Sequence, residues 1–120
     1  MKKKIKNRSS ANDLYDIYTI PEKLIKYKSA FNLTQGINDV ILYEDCFWFI
    51  DIICHHKINF DVELWELRRE KGNLFTITGK SKLEIKFVEL HNLQSDFYFD
   101  DLTIVKKGKL LCLPMEESIY

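Results

Sequence analysis

Residues 43–57, YEDCFWFIDIICHHK, constrain the fold most, because no other run is dense enough in apolar residues to form the middle of a core. Cys46, Phe47, Phe49, Ile50, Ile53 and Cys54 recur at spacings of three and four, which is one face of an α-helix. Trp48 and Ile52 widen that face, so the helix should be covered on more than one side. Glu44 and Asp45 fall where a first turn carries acid, and His55, His56 and Lys57 where a last turn carries base. Both placements suit the helix dipole. A buried strand is the rival reading, since Phe, Trp and Ile are good strand formers. The length of the run and its terminal charges favour the helix.

The rest of the chain can supply a cover for such a helix. The 120 residues, 46% of them hydrophobic and 13% aromatic, suit one packed domain. The formal charge is zero but unevenly spread: residues 1–28 hold eight Lys or Arg against three Asp or Glu, and the remainder ten against fifteen. This gives no global reason to bind nucleic acid and leaves room for a local contact near the start. Cys46, Cys54 and Cys112 form no CxxC pair and are odd in number. That argues against a disulfide framework and for a reducing cytoplasm. No stretch is apolar enough to span a membrane, so no membrane partner is expected.

Residues 1–12, MKKKIKNRSSAN, read as a flexible basic arm, and residues 13–120 as a single α+β domain. A helical turn is expected over 13–18. A helix over about 21–31 follows, with Pro21 in its first turn, Thr19 as cap, and Leu24, Tyr27 and Phe31 facing the core. Thr34 to Asn38 reads as a turn with Gly36 free to take positive φ. Val40 to Tyr43 leads into the central helix as a short strand or a helical extension.

After His56 the period changes to two. Phe60, Val62 and Leu64 alternate with acids, then Trp65 and Leu67 continue on the opposite parity, which asks for a bulge near Leu64–Trp65. Gly72-Asn73 and Gly79 to Ser81 are expected turns, with strands at 75–78 and 83–87. A loop is expected at 92–96, then strands over 97–106 and 109–113 joined by Lys107-Gly108. The expected architecture is two or three N-terminal helices packed on one face of a four- to five-stranded antiparallel sheet.

The block FWFIDIICHHK, the Trp65-x-Leu67 strand, Phe99-Asp100-Asp101-Leu102 and the ending LLCLPMEESIY resemble a family of small uncharacterised proteins. Its members carry a Trp-Leu-Leu-Asp-x-Ile-like helix and a Leu-Pro-Ser-Glu-Tyr-like end, and are often met in phage, prophage and plasmid regions of bacteria. The resemblance covers roughly residues 35–120 and implies a setting, the mobile element, without an activity.

Cys46, Cys54, His55, His56, His91 and Cys112 lack the tight paired spacing of a zinc site. Cys54 and His55 are helix neighbours pointing about 100° apart, wrong for proton transfer. Asp51 stands four before His55, close enough for an acid–imidazole contact. Asp100, Asp101, Glu116 and Glu117 are acids that could hold Mg²⁺ beside a phosphate. No catalytic set and no cofactor is expected. The binding residues expected are Lys2, Lys3, Lys4, Lys6 and Arg8 on the arm, with Arg68 and Arg69 beside Trp65.

The leading expectation is a cytoplasmic, non-enzymatic accessory protein that binds a host protein or ribonucleoprotein. Its sharpest form is an anti-CRISPR inhibitor of an RNA-guided nuclease with its guide RNA. The alternatives are a metal-dependent enzyme on nucleic acid or nucleotide, with Asp100, Asp101 and a histidine converging, and a nucleic-acid-binding regulator. If residues 43–57 form the core helix, alanine at Trp48 or Ile50 lowers unfolding free energy by roughly 2–5 kcal/mol in a denaturant titration.

Overall fold

The computed structural model describes residues 10–28, 30–57 and 60–120. In chain order its elements are α1 (Ala11–Leu14), β1 (Ile25–Tyr27), β2 (Phe31–Leu33), α2 (Gln35–Tyr43), α3 (Phe47–His55), β3 (Val62–Lys71), β4 (Leu74–Ser81), β5 (Lys86–Gln94), β6 (Asp101–Lys107), β7 (Leu110–Cys112) and a 3-10 helix (Pro114–Ile119). The strands form one sheet in the order β1-β2-β7-β6-β3-β4-β5. Every pair is antiparallel except β2 with β7. Strand β2 therefore runs parallel to β3, and α2 and α3 form the crossover between them. None of the helices among the described residues is long and apolar enough to cross a membrane.

The core lies between this sheet and the crossover helices. Phe49, Ile50 and Ile53 of α3 and Ile37, Val40 and Ile41 of α2 are buried against Trp65, Leu67, Phe75, Ile77, Leu102 and Ile104. The periodicity of the central stretch thus identifies Cys46, Phe49, Ile50 and Ile53 as core residues, whereas Phe47 of the same expected face is exposed and Cys54 is half-buried. Trp48 is only partly buried, so Ile50 carries the larger truncation cost.

A seven-stranded mixed sheet overturns the expected four- to five-stranded antiparallel one with its N-terminal helices. Residues 25–33 are a hairpin, not part of a helix over 21–31. Lys28 turns it with φ of 51°, and Leu24, which a helical stripe would bury, is exposed. Asn32 N–H donates to Lys109 O at 2.9 Å and Thr34 N–H to Leu111 O at 3.1 Å, recruiting β2 to a strand nearly eighty residues later. Such pairing leaves no local signature. Residues 40–43 belong to α2, so the central helix is two helices. Asp45, with φ of 52°, breaks them apart.

Later boundaries move too. The bulge expected near Leu64–Trp65 is absent, and β3 keeps register there with both neighbours. Glu63, Trp65 and Leu67 all point inward, because Glu63 has a buried partner on β6. Gly79 to Ser81 lie inside β4, and the chain turns at 82–83. A Cβ on Gly79 would stand 2.8 Å from Val88, so the glycine permits close approach rather than a turn. Gly72, at φ of 56°, does make its turn, and Gly108, at 61°, opens the β6–β7 turn one residue later than expected. Ser10 to Asn12 belong to the fold rather than to an arm: Ala11 is buried and the Asn12 carboxamide bonds both the N–H and the C=O of Thr103.

The end of the chain is clasped to α2 by one buried acid. Glu116 accepts from Thr34 Oγ1 at 2.5 Å, Gly36 N–H at 3.1 Å and Leu113 N–H at 3.0 Å. Thr34 is the N-cap of α2 rather than a turn residue, and Gly36 is helical. Gly36 serves here by having no side chain: a Cβ would lie 2.7 Å from Glu116 Oε1 and from Leu113 Cδ1.

Residues 16–24 have almost no regular structure and cross the helices as a strap. Tyr15, Tyr18 and Tyr27 donate to Glu44, Asp39 and Asp51, each at 2.6 Å. Burial and these carboxylates push all three phenols well above their usual range. The Asp51 carboxyl is held below its ordinary value by the Tyr27 hydroxyl and then by Lys28, whose Nζ is 2.9 Å away.

Two outcomes follow. Gly36→Ala lowers the melting temperature, by about 1–3 kcal/mol of stability, although alanine is the better helix former; a higher melting temperature would contradict the clasp. Because its folded pKa is depressed, Asp51 contributes stability above its unfolded pKa, lost as pH falls through the folded value. Melting curves of wild type and Asp51→Asn therefore differ at neutral pH and converge in acid; a gap unchanged down to acid pH would contradict this.

Candidate functional site

Lys2, Lys3, Lys4, Lys6 and Arg8 lie outside the described residues. Arg68 and Arg69 are adjacent on β3, and strand alternation sends them to opposite faces. Arg69 is held inside. Its guanidinium donates to Asp100 Oδ1 at 3.1 Å, to the carbonyls of Phe97, Tyr98 and Phe99 at 2.7–3.2 Å, and to Gly72 O, and it stacks 4.7 Å from the centre of the Phe75 ring. It fastens the 95–100 loop to the β3–β4 hairpin. Arg68 is the exposed one, opposite Asp101 on β6 and Thr76 on β4, with Glu66 3.7 Å away.

Arg68 belongs to a polar lattice on the open face of the sheet. One row runs Asp101, Arg68, Thr76, His91, the last joined to Thr76 Oγ1 at 3.3 Å. The next runs Thr103, Glu66, Thr78, Glu89. Lys80 lies 3.3 Å from Glu66 and 2.9 Å from Glu84. Both signs alternate, so this face offers neither a phosphate nor a cation a concentrated charge.

The acids and histidines do not converge. Asp100 points to Arg69 and Asp101 to the open face; Glu116 is buried in the clasp and Glu117 pairs with Lys82 at 3.0 Å. His55 Nδ1 meets the Asp51 backbone carbonyl at 3.0 Å, while the Asp51 carboxylate serves Tyr27 and Lys28. His56 packs against the rings of Trp65 and Phe87. Among the described residues no three His, Cys, Asp or Glu side chains gather as a metal site. Burial pushes the Cys46 and Cys112 thiols up to about 12 and the Cys54 thiol to about 11.

Sequence reasoning missed the most unusual polar group. Lys106 of β6 is fully buried, and its Nζ has no hydrogen-bond partner among the described residues. Glu63 Oε1 stands 3.7 Å away, too far for a hydrogen bond, so the attraction is Coulombic. Glu63 accepts from Trp65 Nε1 at 3.1 Å and Phe60 N–H at 3.2 Å. Burial lowers the Lys106 pKa, and Glu63 opposes that shift. The Phe31 ring lies 5.8 Å from Nζ. Lys-Lys at 106–107 before a glycine looked like a turn flank, and only the cross-strand match Glu63–Lys106 marks it as a pair.

Residues 9–117 match the model of a family of unknown function, DUF6876. The chain belongs to this family. No curated protein and no solved structure matches it. Within this DUF6876 chain, the segments that carried the resemblance are structural. Trp65 and Leu67 fill the core, Asp100 anchors Arg69, and Leu113 and Glu116 make the clasp.

Large apolar side chains are nonetheless left exposed, Ile20 and Tyr98 among them, and two groups of them stand out. One is the end of the β4–β5 hairpin, where Leu83 and Ile85 border a groove of about 250 Å³ with Phe60 and Val62. The other comprises Leu14 and Ile17 near the strap, and Leu42 and Tyr43 on α2.

The buried pair makes a clear stability test. In urea, Glu63→Ala costs about 3–5 kcal/mol, since it leaves an ammonium buried alone, whereas replacing both members, Glu63→Leu with Lys106→Met, is neutral or stabilising by up to about 4 kcal/mol. The reverse ranking would show that Lys106 is held by something other than Glu63.

Proposed function

We propose that this protein acts by binding another macromolecule. The supporting observation is the exposure of large apolar residues in clusters, at Leu83 and Ile85 and at Leu14, Ile17, Leu42 and Tyr43. Soluble monomers seldom leave such clusters bare unless a partner covers them.

The finer form of this reading is an accessory protein of a mobile element that inhibits a host defence complex, such as an RNA-guided nuclease. It rests on the resemblance to phage, prophage and plasmid proteins and is associational. An affinity-tagged chain expressed in a bacterium carrying an active RNA-guided nuclease tests both levels. The expected result is a stable protein or ribonucleoprotein partner, retained through washing, together with loss of plasmid interference. A partner without any change in interference would reject the defence role alone. Recovery of no partner under gentle washing would reject the binding role.

A further inference from the structure

The two apolar clusters differ in the charges around them. The hairpin cluster is bordered by charges already neutralised within the chain: Lys82 with Glu117, Lys80 with Glu84, and Lys86 with Glu89. The two segments that carry the strap cluster hold acids and no bases. Residues 9–22 contain Asp13, Asp16 and Glu22 and no Lys, Arg or His; residues 30–46 contain Asp39, Glu44 and Asp45 and again no base. The tyrosine bonds bring these two segments together. Tyr15 is tied to Glu44 and Tyr18 to Asp39, so the chain at 15–18 runs antiparallel to the last turns of α2. Leu14 and Ile17, each next in the chain to one of these tyrosines, and Leu42 and Tyr43, just before Glu44, are 59%, 72%, 56% and 75% exposed. Asp13, Asp16 and Asp45 are exposed, and none has an ion-pair partner among the described residues.

We infer that this surface docks a basic segment of a partner protein, with apolar side chains seated on Leu14, Ile17, Leu42 and Tyr43 and Lys or Arg meeting Asp13, Asp16 and Asp45. The inference deepens the binding role proposed above and rests on it. Charge selects the occupant. Nucleic acid and anionic membrane would bring phosphate against unpaired carboxylates. A two-fold dimer through this face would set those carboxylates against their own copies. A cationic polypeptide with apolar residues satisfies both parts of the surface, and complementary charge would raise its association rate and make it sensitive to salt.

The surface residues are exposed, so their substitution leaves the fold intact. The probe is an amphipathic peptide of Leu and Lys, titrated into the full chain and followed by amide chemical shifts, with a Leu and Glu peptide of the same pattern as control. The expected result is a shift set centred on Leu14, Ile17, Leu42 and Tyr43, with binding about tenfold weaker when salt rises from about 0.05 to 0.5 M. Asp13→Lys with Asp16→Lys should weaken it at least as much. Equal binding of the acidic peptide, shifts centred on Leu83 and Ile85, or indifference to the double variant would each overturn the inference. So would sedimentation showing a wild-type dimer that Ile17→Asp dissolves. A cellular partner captured equally by wild type and by Asp13→Lys/Asp16→Lys would sink this surface while leaving the binding role standing; peptide binding as expected with no partner in the cell would do the opposite.

Discussion

A carboxylate that cannot reach water has to be met by donors, and Glu116 is met by three. Two come from the first turn of α2 and its cap, and the third from the backbone at the start of its own 3-10 helix. The negative charge thus sits where a helix presents its unsatisfied N–H groups and its positive dipole end. This single side chain ties the end of the chain to the start of the crossover. It also explains why β2 lies beside β7. Thr34, which follows β2, and Leu113, which follows β7, meet on the same carboxylate, and the parallel pair between those strands runs directly into that junction. Gly36 is required for the approach because any side chain there would occupy the space of the carboxylate.

The same economy of polar groups governs the rest of the interior. Arg69 spends its donors on four consecutive residues of the 97–100 loop, and Asn12 closes the free edge of β6 where β7 stops short. The tyrosines of the strap replace a ladder of backbone bonds with three side-chain bonds to helix carboxylates. Lys106 is the exception. Its charge is opposed by Glu63 without a hydrogen bond, in a setting of Phe31 and Trp65. Buried pairs of this kind contribute little net stability compared with apolar residues of the same volume, but they penalise any strand register that would separate them.

The candidate surface arises from that frame. Fastening the strap through Tyr15, Tyr18 and Tyr27 turns those rings inward and leaves Leu14 and Ile17 outward. Asp13 of α1 and Asp16 of the strap are then left exposed, without an ion-pair partner among the described residues. The same short segment thus folds inward through its tyrosines and carries the proposed docking surface on its other side.

Some of this was legible in the residues. The spacing of Phe49, Ile50 and Ile53 reports a buried helical face, and the alternation around Gly72 reports a hairpin, because both signals are local and repeat along the chain. Arg68 and Arg69 could have been separated by the same alternation, and the one-sign charge of residues 9–22 and 30–46 was readable without any structure. The helix reading of residues 21–31 failed because Leu24, Tyr27 and Phe31 happen to fit a helical spacing while their neighbours pair as strands. The parallel contact of β2 with β7, the Glu63–Lys106 match and the Thr34–Glu116 bond join residues many positions apart. Periodicity determined the apolar face of α3 and the alternation of the strands; only the tertiary structure decided which polar groups, Glu63, Lys106 and Glu116, leave water with them. Burial preference belongs to each side chain, whereas pairing depends on where the whole chain brings its ends together.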